Sequence, residues 1–230
     1  MIAAGDRVIL SGKGKTYVVR AGEGSLGTDL GMVDLSQLTG KEPGDIITTR
    51  SGKGLVIRLP RATDFFEQAK RSGAPMLPRD IGLVIGLTGM NKNDHVLDAG
   101  TGSGVAAVFF AGVAGKVTTC ERREEFYRIA EESIRETGLL NIEVVNRDVL
   151  EMDGQYDIVH FDLGITNDHV THALSLIRPG GYLVCYTPFF EQMGVVVDTA
   201  AGRFSEGTAH ESIMREMDRS ERGTRPSTKV

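Results

Sequence analysis

Residues 96–104 read Val-Leu-Asp-Ala-Gly-Thr-Gly-Ser-Gly, and this stretch decides the fold class of the chain. An apolar run ends in an acid, glycines follow at every second position, and residues 105–113 are small and apolar with helical character. This order predicts a strand, a tight turn and a helix N-terminus, the opening of an α/β nucleotide-type site. Glycines in such a turn let the backbone approach a ligand closely, because no Cβ atom intervenes.

The spacing of the glycines indicates which ligand the turn serves. A dinucleotide fingerprint has glycines at its first, third and sixth positions, whereas Gly100, Gly102 and Gly104 follow G-x-G-x-G. This spacing resembles that of S-adenosylmethionine-dependent methyltransferases. Residues 116–121 read as the next strand and end in Glu121, whose carboxylate can accept both ribose hydroxyls of an adenosine. The alternative, a glycine turn that merely joins a strand to a helix, does not explain this whole combination.

Length and composition place limits on the class of protein. A chain of 230 residues fits one large domain, or a medium domain with a small partner. No apolar run approaches the roughly 20 residues of a membrane helix, and the first residues show no secretory signal. Cys120 and Cys185 fall within predicted strands, as expected of inert core thiols in a cytoplasmic protein. No Cys/His spacing suggests a metal.

A cluster of basic residues complicates the argument from net charge. The formal charge of −5 argues mildly against a nucleic-acid partner, but a local basic patch can decide binding. The cluster comprises Arg50, Lys53, Arg58, Arg61, Lys70, Arg71 and Arg79. A solvated face and a binding face explain it equally well.

Residues 1–59 predict a small β domain, and residues 60–80 predict a linker. Two hairpin patterns surround glycine-containing turns, at residues 6–20 and 46–59. A domain of this size cannot bury a large core, so it should pack on a neighbour or on another subunit. In the linker, residues 62–71 favour a short helix, and Asp80 is positioned to cap a further helix that begins at Ile81.

Residues 81–230 predict the catalytic domain, because strand and helix patterns alternate from His95 onward. The expected fold class is α/β, with a doubly wound and mostly parallel sheet. Further strands are expected at residues 142–145, 156–162, 182–187 and, more weakly patterned, 211–217, with helices at 123–137, 167–177 and 189–200 and a turn at 179–181.

Four acids stand at or near the ends of four successive strands. They are Asp98, Glu121, Asp148 and Asp162. Ligands of open α/β sheets bind outside the carboxyl ends of the strands, so we expect these acids to meet there. Any one of them alone could equally be a helix cap or a surface charge.

Three histidines fall in the same half of the chain. His160 lies inside the buried strand pattern, so a core histidine is favoured over a catalytic one. His169 and His172 are three residues apart on the following helix, and no carboxylate or cysteine completes a metal set. We therefore interpret both as surface residues.

Several motifs together make the chain resemble a known family. Beyond the glycine turn these are Pro-Arg-Ala-Thr-Asp-Phe at 60–65, Leu-Pro-Arg-Asp at 77–80, Arg-Asp-Val at 147–149, Asp-Leu at 162–163 and Arg-Pro-Ser at 225–227. With them the chain resembles the tRNA adenine-N1 methyltransferases of archaea and bacteria, which methylate adenines of the TΨC-loop region. The resemblance implies a class I, Rossmann-like catalytic domain with S-adenosylmethionine as cofactor, tRNA as partner and a homotetramer.

The resemblance also implies roles for individual residues. The backbone from Gly102 to Val105 would hold the methionine part of the cofactor, and Glu121 its ribose. Asp148 and Val149 would meet the adenine, and Asp162 would be the catalytic residue beside the sulfonium and the target base. The complete implied cofactor set is Asp98, Gly100, Gly102, Ser103, Gly104, Val105, Glu121, Asp148, Val149 and Asp162.

The chain departs from the family in three places. Leu77 stands where the family has a tyrosine, and residues 164–168 replace a proline-rich stretch that ends in Pro-Trp. The family continues beyond the Arg-Pro pair into a strand that closes the sheet, so a chain that stops at Val230 should leave the fifth strand with an unpaired edge.

Two alternative functions therefore stay open: a methyltransferase for a small molecule or a protein, and a non-catalytic RNA-binding subunit. The intact glycine turn and Glu121 argue against the second.

Overall fold

The computed structural model describes residues 1–68 and 75–227. The chain divides into two compact units, Met1–Phe65 and Phe66–Val230. Two residues of the basic cluster, Lys70 and Arg71, lie outside the described residues, as does the predicted end of the helix at 62–71. The helix itself, α1, spans Ala62–Gln68.

The first unit is built on an antiparallel sheet of four strands in the order β2-β1-β6-β5. Alternate residues of β1 and β6 point into its core, where Val8, Leu10, Leu55 and Ile57 are fully buried. Both predicted hairpin regions are confirmed. The six strands are β1 (Arg7–Gly12), β2 (Lys15–Arg20), β3 (Ser25–Thr28), β4 (Gly31–Asp34), β5 (Ile46–Thr48) and β6 (Gly54–Arg58).

Parallel strands form the central sheet of the second unit, in the order β11-β10-β7-β8-β9. Its strands are β7 (His95–Ala99), β8 (Lys116–Cys120), β9 (Ile142–Val145), β10 (Tyr156–Phe161) and β11 (Ile177–Cys185). Its helices are α2 (Pro78–Thr88), α3 (Val105–Ala111), α4 (Glu124–Arg135), α5 (Asn167–Leu176) and α6 (Phe190–Ala200).

The two central strands carry the core of this unit. Leu97 of β7 and Val159 and Phe161 of β10 are fully buried, as expected of parallel strands covered on both faces. Because these strands run in the same direction, their carboxyl ends lie at one edge of the sheet. The turn after β7 and the residue after β10 therefore lie side by side.

Three local predictions differ from the structure. Helix α2 begins at Pro78 and not at Ile81, so Asp80 is not its cap; a proline fits the first helical turn because its missing N–H has no partner there anyway. The predicted turn at 179–181 lies inside β11, where the pairing with β10 shifts register.

The sixth strand predicted at 211–217 is wrong. Instead, β12 (Met217–Ser220) pairs with β13 (Gly223–Pro226) as a separate antiparallel hairpin. Gly223, the first residue after the turn of this hairpin, has a φ of 123°, which favours glycine. Among the described residues, β11 pairs only with β10, which leaves its outer edge open as expected.

Candidate active site

The glycine turn is fitted tightly against the strand beside it. Gly100, Gly102 and Gly104 have φ values of 92°, 54° and 82°, which favour glycine. A Cβ atom on Gly100 would lie 2.0 Å from the carbonyl oxygen of Asp162. The turn is fixed on its other side by the Gly100 N–H, which donates to the carbonyl of Cys120 at 3.0 Å. Any other residue at position 100 would therefore push the ends of β7 and β10 apart.

A pocket of about 240 Å³ opens at this edge of the sheet. It brings together five of the residues implied by the resemblance: Gly100, Glu121, Asp148, Val149 and Asp162. The rest of its lining was not foreseen as part of a site and consists of Ala99, Cys120, Arg122, Arg123, Arg147, Leu163, Gly164 and His169.

The other implied residues do not line this pocket. Ser103 and Val105 are buried, and Gly104 packs where a Cβ would lie 3.1 Å from the side chain of Ile134. Gly102 reaches the pocket through its N–H group, which donates to Glu121 at 3.3 Å. These residues shape the turn behind the lining.

Asp98 also lies away from the pocket, inside β7, with 1% of its surface exposed. One carboxylate oxygen contacts Nδ1 of His160 at 2.7 Å, and the other accepts from the Thr119 hydroxyl at 2.8 Å. Thr101 contacts the same Thr119 hydroxyl at 2.6 Å. This buried network ties β7, β8 and β10 together. It also confirms His160 as a core residue.

Glu121 follows β8, and its buried carboxylate is enclosed by hydrogen bonds. Oε1 accepts from the backbone N–H and the Nε of Arg123, both at 3.0 Å. Oε2 accepts from Nη2 of Arg123 and from the Gly102 N–H, both at 3.3 Å. Burial opposes ionisation of this acid, but the hydrogen bonds from Arg123 outweigh it and hold its pKa below the ordinary value. The guanidinium also lies 3.9 Å from the ring centre of Phe126.

Asp148 makes one contact through each of its two carboxylate oxygens. It precedes the 3₁₀ turn Val149–Glu151, and its Oδ1 accepts from the Leu150 N–H at 3.0 Å. Its Oδ2 lies 3.4 Å from Nη1 of Arg122, a longer and more exposed contact. Two consecutive arginines thus face the two acids at the ends of β8 and β9.

Asp162 follows β10 and differs from the other two acids. Burial, reinforced by the nearby carboxylate of Asp98, raises its pKa to about 6, whereas His160 acts in the opposite direction. Burial also raises the pKa of Tyr186, and the carboxylates of Asp80 and Asp162 add to this effect. Asp80 in turn accepts a hydrogen bond from Ser212, far along the chain. Sequence reasoning did not single out Tyr186, because nothing in a strand pattern marks the residue that follows β11 as a neighbour of Asp162.

The interpretation of His169 and His172 as surface residues is wrong. His169 is 9% exposed and lines the pocket. His172 contacts the carbonyl of Met152 through Nε2 at 3.0 Å. Helical spacing places the two on one face, and that face packs inward. The capping pattern Thr166-x-x-His169 was the available signal.

Two further features concern ligands and partners of other kinds. Within the described ranges, no group of three His, Cys, Asp or Glu side chains could hold a metal ion. No helix in that same part of the chain combines the length and the apolar character needed to cross a bilayer.

In the basic cluster, Arg58 makes a two-pronged ion pair with Asp64, with N–O distances of 2.6 and 2.7 Å.

Comparison with known proteins shows which proteins this chain is similar to. Residues 96–181 match the profile of a methyltransferase domain. The chain is 28% identical to a tRNA (adenine(57)-N(1)/adenine(58)-N(1))-methyltransferase of Methanocaldococcus jannaschii, over 97% of this chain and 90% of that protein. It is also 28% identical to the tRNA (adenine(58)-N(1))-methyltransferase of Thermus thermophilus, over 85% of this chain and 80% of that one.

Solved structures confirm the predicted fold class. A SAM-dependent O-methyltransferase of Thermotoga maritima matches all of this chain and 89% of its own, with a TM-score of 0.86 and 26% identity. A tRNA (m1A58) methyltransferase of Aquifex aeolicus matches all of this chain and 93% of its own, with a TM-score of 0.80 and 20% identity. The parallel sheet and the small N-terminal antiparallel unit are those of S-adenosylmethionine-dependent methyltransferases.

Proposed function

We propose that this chain, which belongs to the S-adenosylmethionine-dependent methyltransferases, methylates N1 of an adenine in the TΨC-loop region of tRNA. The observation that carries this proposal is the similarity to two tRNA adenine-N1 methyltransferases over most of both chains. The pocket supports it with an acid at each of three strand ends beside a glycine turn.

The residues present fit an adenosine cofactor. Glu121 and Asp148 offer carboxylate acceptors on one side of the pocket, and Val149 and Leu163 offer apolar surface. A ribose presents two hydroxyl donors and an adenine presents an amino donor, so the acids complement both. In this proposal, the backbone from Gly102 to Val105 positions the methionine part, and Asp98 stabilises the turn through its buried hydrogen bonds.

Arg123 imposes a condition on this placement. Each oxygen of the Glu121 carboxylate already accepts two hydrogen bonds, three of the four from Arg123. A carboxylate has about four lone-pair positions. The ribose hydroxyls must therefore replace the Arg123 guanidinium, which can remain on the ring of Phe126.

Asp162 is the proposed catalytic residue. When bound, S-adenosylmethionine supplies an activated methyl group whose leaving group is a neutral thioether. The protein's task is therefore mainly to align the target nitrogen. N1-methylation leaves a cationic base. The Asp162 carboxylate can accept from the amino group of the target adenine and stabilise the developing positive charge.

Tyr186 and its neighbours are the proposed target-base side of the site. Adenine N1 in RNA is engaged in pairing or stacking, so the base must be swung out at a cost of a few kcal/mol. Stacking on an aromatic side chain offsets such a cost, and Tyr186 lies near Asp162. Leu77 and residues 164–168 are the positions where the sequence departs from the family pattern. We expect them to make the substrate preference of this chain differ from that of the family.

The proposal includes partners and location. We infer that the chain binds tRNA, assembles as a homotetramer and acts in the cytoplasm. Support comes from the similarity to tRNA-modifying enzymes. The open edge of β11 is consistent with self-association.

Methyl transfer tests the proposal directly. We expect labelled S-adenosylmethionine to transfer its methyl group to unmodified tRNA, and nucleoside analysis to identify 1-methyladenosine. An O-methylated product from a small molecule would instead favour the second candidate, suggested by the Thermotoga maritima O-methyltransferase. Binding of tRNA without methyl transfer would favour the remaining alternative, a non-catalytic RNA-binding subunit.

A further inference from the structure

We propose that His169 is an additional cofactor-binding residue, which donates from Nε2–H to a ring nitrogen of the cofactor's adenine. With Asp148 it would select an amino-bearing purine. The inference rests on the proposed placement of the adenosine in the pocket, and it concerns the residue that directly follows the stretch 164–168, where the chain departs from the family motif.

The hydrogen bonds of Nδ1 fix which nitrogen carries the proton. The Thr166 backbone N–H donates to Nδ1 of His169 at 3.0 Å. A backbone N–H can only donate, so Nδ1 must be an acceptor and the proton of a neutral imidazole lies on Nε2. Burial lowers the pKa of His169, which favours this neutral form. The Thr166 hydroxyl lies 2.8 Å from the same nitrogen and reinforces the arrangement.

The donor at Nε2 has no protein acceptor within residues 1–68 and 75–227, yet the side chain lines the pocket. His169 is 9% exposed, so water reaches its ring only from a small opening. The Nε2 atom itself is not sealed off within the described residues, so its N–H can reach a ligand in the pocket. A ligand acceptor in the pocket would satisfy it.

The surroundings prevent the ring from turning away. Helix α5 begins at Asn167 and is fixed to the 3₁₀ turn by the contact between His172 and the Met152 carbonyl, at 3.0 Å. The ring of His169 also packs edge-on against Phe161, with centroids 6.2 Å apart. The carboxylate of Asp148 is close enough to influence the imidazole. Donor and acceptor therefore both line the pocket.

Adenine is complementary to such a pair. It presents an amino donor next to ring-nitrogen acceptors, whereas a 6-oxo purine presents a carbonyl acceptor in place of the amino group. An acceptor at Asp148 and a donor at His169 match the first pattern. The carboxylate of Asp148 would repel the carbonyl oxygen of the second.

Two matched variants separate this role from the structural one. Glutamine and glutamate both serve as capping residues at this helix position, so His169→Gln and His169→Glu should both fold with unchanged helix content. Only glutamine keeps an N–H donor. We expect calorimetric affinity for S-adenosylhomocysteine to fall about tenfold in His169→Glu and by less in His169→Gln.

Deaza analogues make the test specific to one hydrogen bond. The 1-deaza, 3-deaza and 7-deaza analogues of S-adenosylhomocysteine each lack one ring nitrogen. The analogue that lacks the nitrogen bonded by His169 should bind the wild type about tenfold more weakly than S-adenosylhomocysteine does. His169→Glu should bind that analogue and S-adenosylhomocysteine equally well. Wild-type affinity in both variants, or unchanged discrimination in His169→Glu, would overturn the inference alone. Failure of the wild type to bind S-adenosylhomocysteine would overturn the proposed cofactor site and the inference with it.

Discussion

Two aspartates on neighbouring parallel strands have opposite surroundings. Asp98, inside β7, has a protein partner for each carboxylate oxygen, in His160 and Thr119. Asp162, one residue beyond β10, lines the pocket, and burial raises its pKa to about 6. An aspartate therefore ties strands together where both of its carboxylate oxygens have protein partners, as Asp98 does. It is available for chemistry where it faces a pocket, as Asp162 does. Two positions of strand register separate these roles.

The largest expected effect is on turnover. Asp162→Ala should lower the rate of methyl transfer by about 1,000-fold, or about 4 kcal/mol, because it removes the carboxylate that we propose at the reacting centre. Affinity for S-adenosylhomocysteine, measured by calorimetry, should stay close to that of the wild type. Unchanged methyl incorporation into unmodified tRNA would remove Asp162 from the mechanism.

Asp98→Ala should instead affect folding. It leaves the buried His160 and Thr119 without their acceptor, so the free energy of unfolding should fall by about 3 kcal/mol. Chemical denaturation measures this loss, and Asp162→Ala is the matched control, with little or no loss. Equal stability of the two variants would show that the buried network does not distinguish these acids.

Sequence patterns predicted the parallel sheet well for a physical reason. The strands β7 and β10 are buried along nearly their whole length and carry apolar residues at most positions, and the glycine turn between β7 and α3 has a recognisable spacing. The hairpin β12–β13 was not predicted, and a single strand was expected at 211–217 instead, because the two strands of the hairpin are short and fully exposed. Without a buried face, such strands carry no alternation to detect.

The site was only partly predictable from sequence. Acids at strand ends follow from topology, and three of the four expected acids line the pocket. Asp98 does not, since strand position alone cannot tell which acid has internal partners. His169 was missed because its place in the pocket depends on packing between distant segments, which periodicity does not report. Arg123 was missed because no pattern marks its hydrogen bonds to Glu121, two positions away.

Glu121→Gln sharpens the comparison at the cofactor side. It keeps the shape of the side chain and removes the charge, so affinity for S-adenosylhomocysteine should fall by about 10- to 30-fold, or about 1.5–2 kcal/mol. Glu124→Gln, at an exposed ion pair with Arg128, is the control and should change nothing measurable. Equal affinities of the two variants would contradict the ribose assignment.

The smallest expected effect is on the pH dependence of stability. A carboxyl whose pKa is raised on folding stabilises the protein at low pH, and this contribution is lost as pH rises through about 6. Asp162→Asn should therefore be more stable than the wild type by about 1–2 kcal/mol above pH 7 and equal to it near pH 4. Parallel stability curves of the two proteins from pH 4 to 8 would argue against a raised pKa.

A crystal structure with bound S-adenosylhomocysteine tests the central claim most directly. We predict the adenosine in the pocket at the ends of β7 to β10, its ribose hydroxyls on Glu121, its adenine at Asp148, and the Arg123 guanidinium displaced. An adenosine bound elsewhere, with Arg123 still on Glu121, would contradict the account.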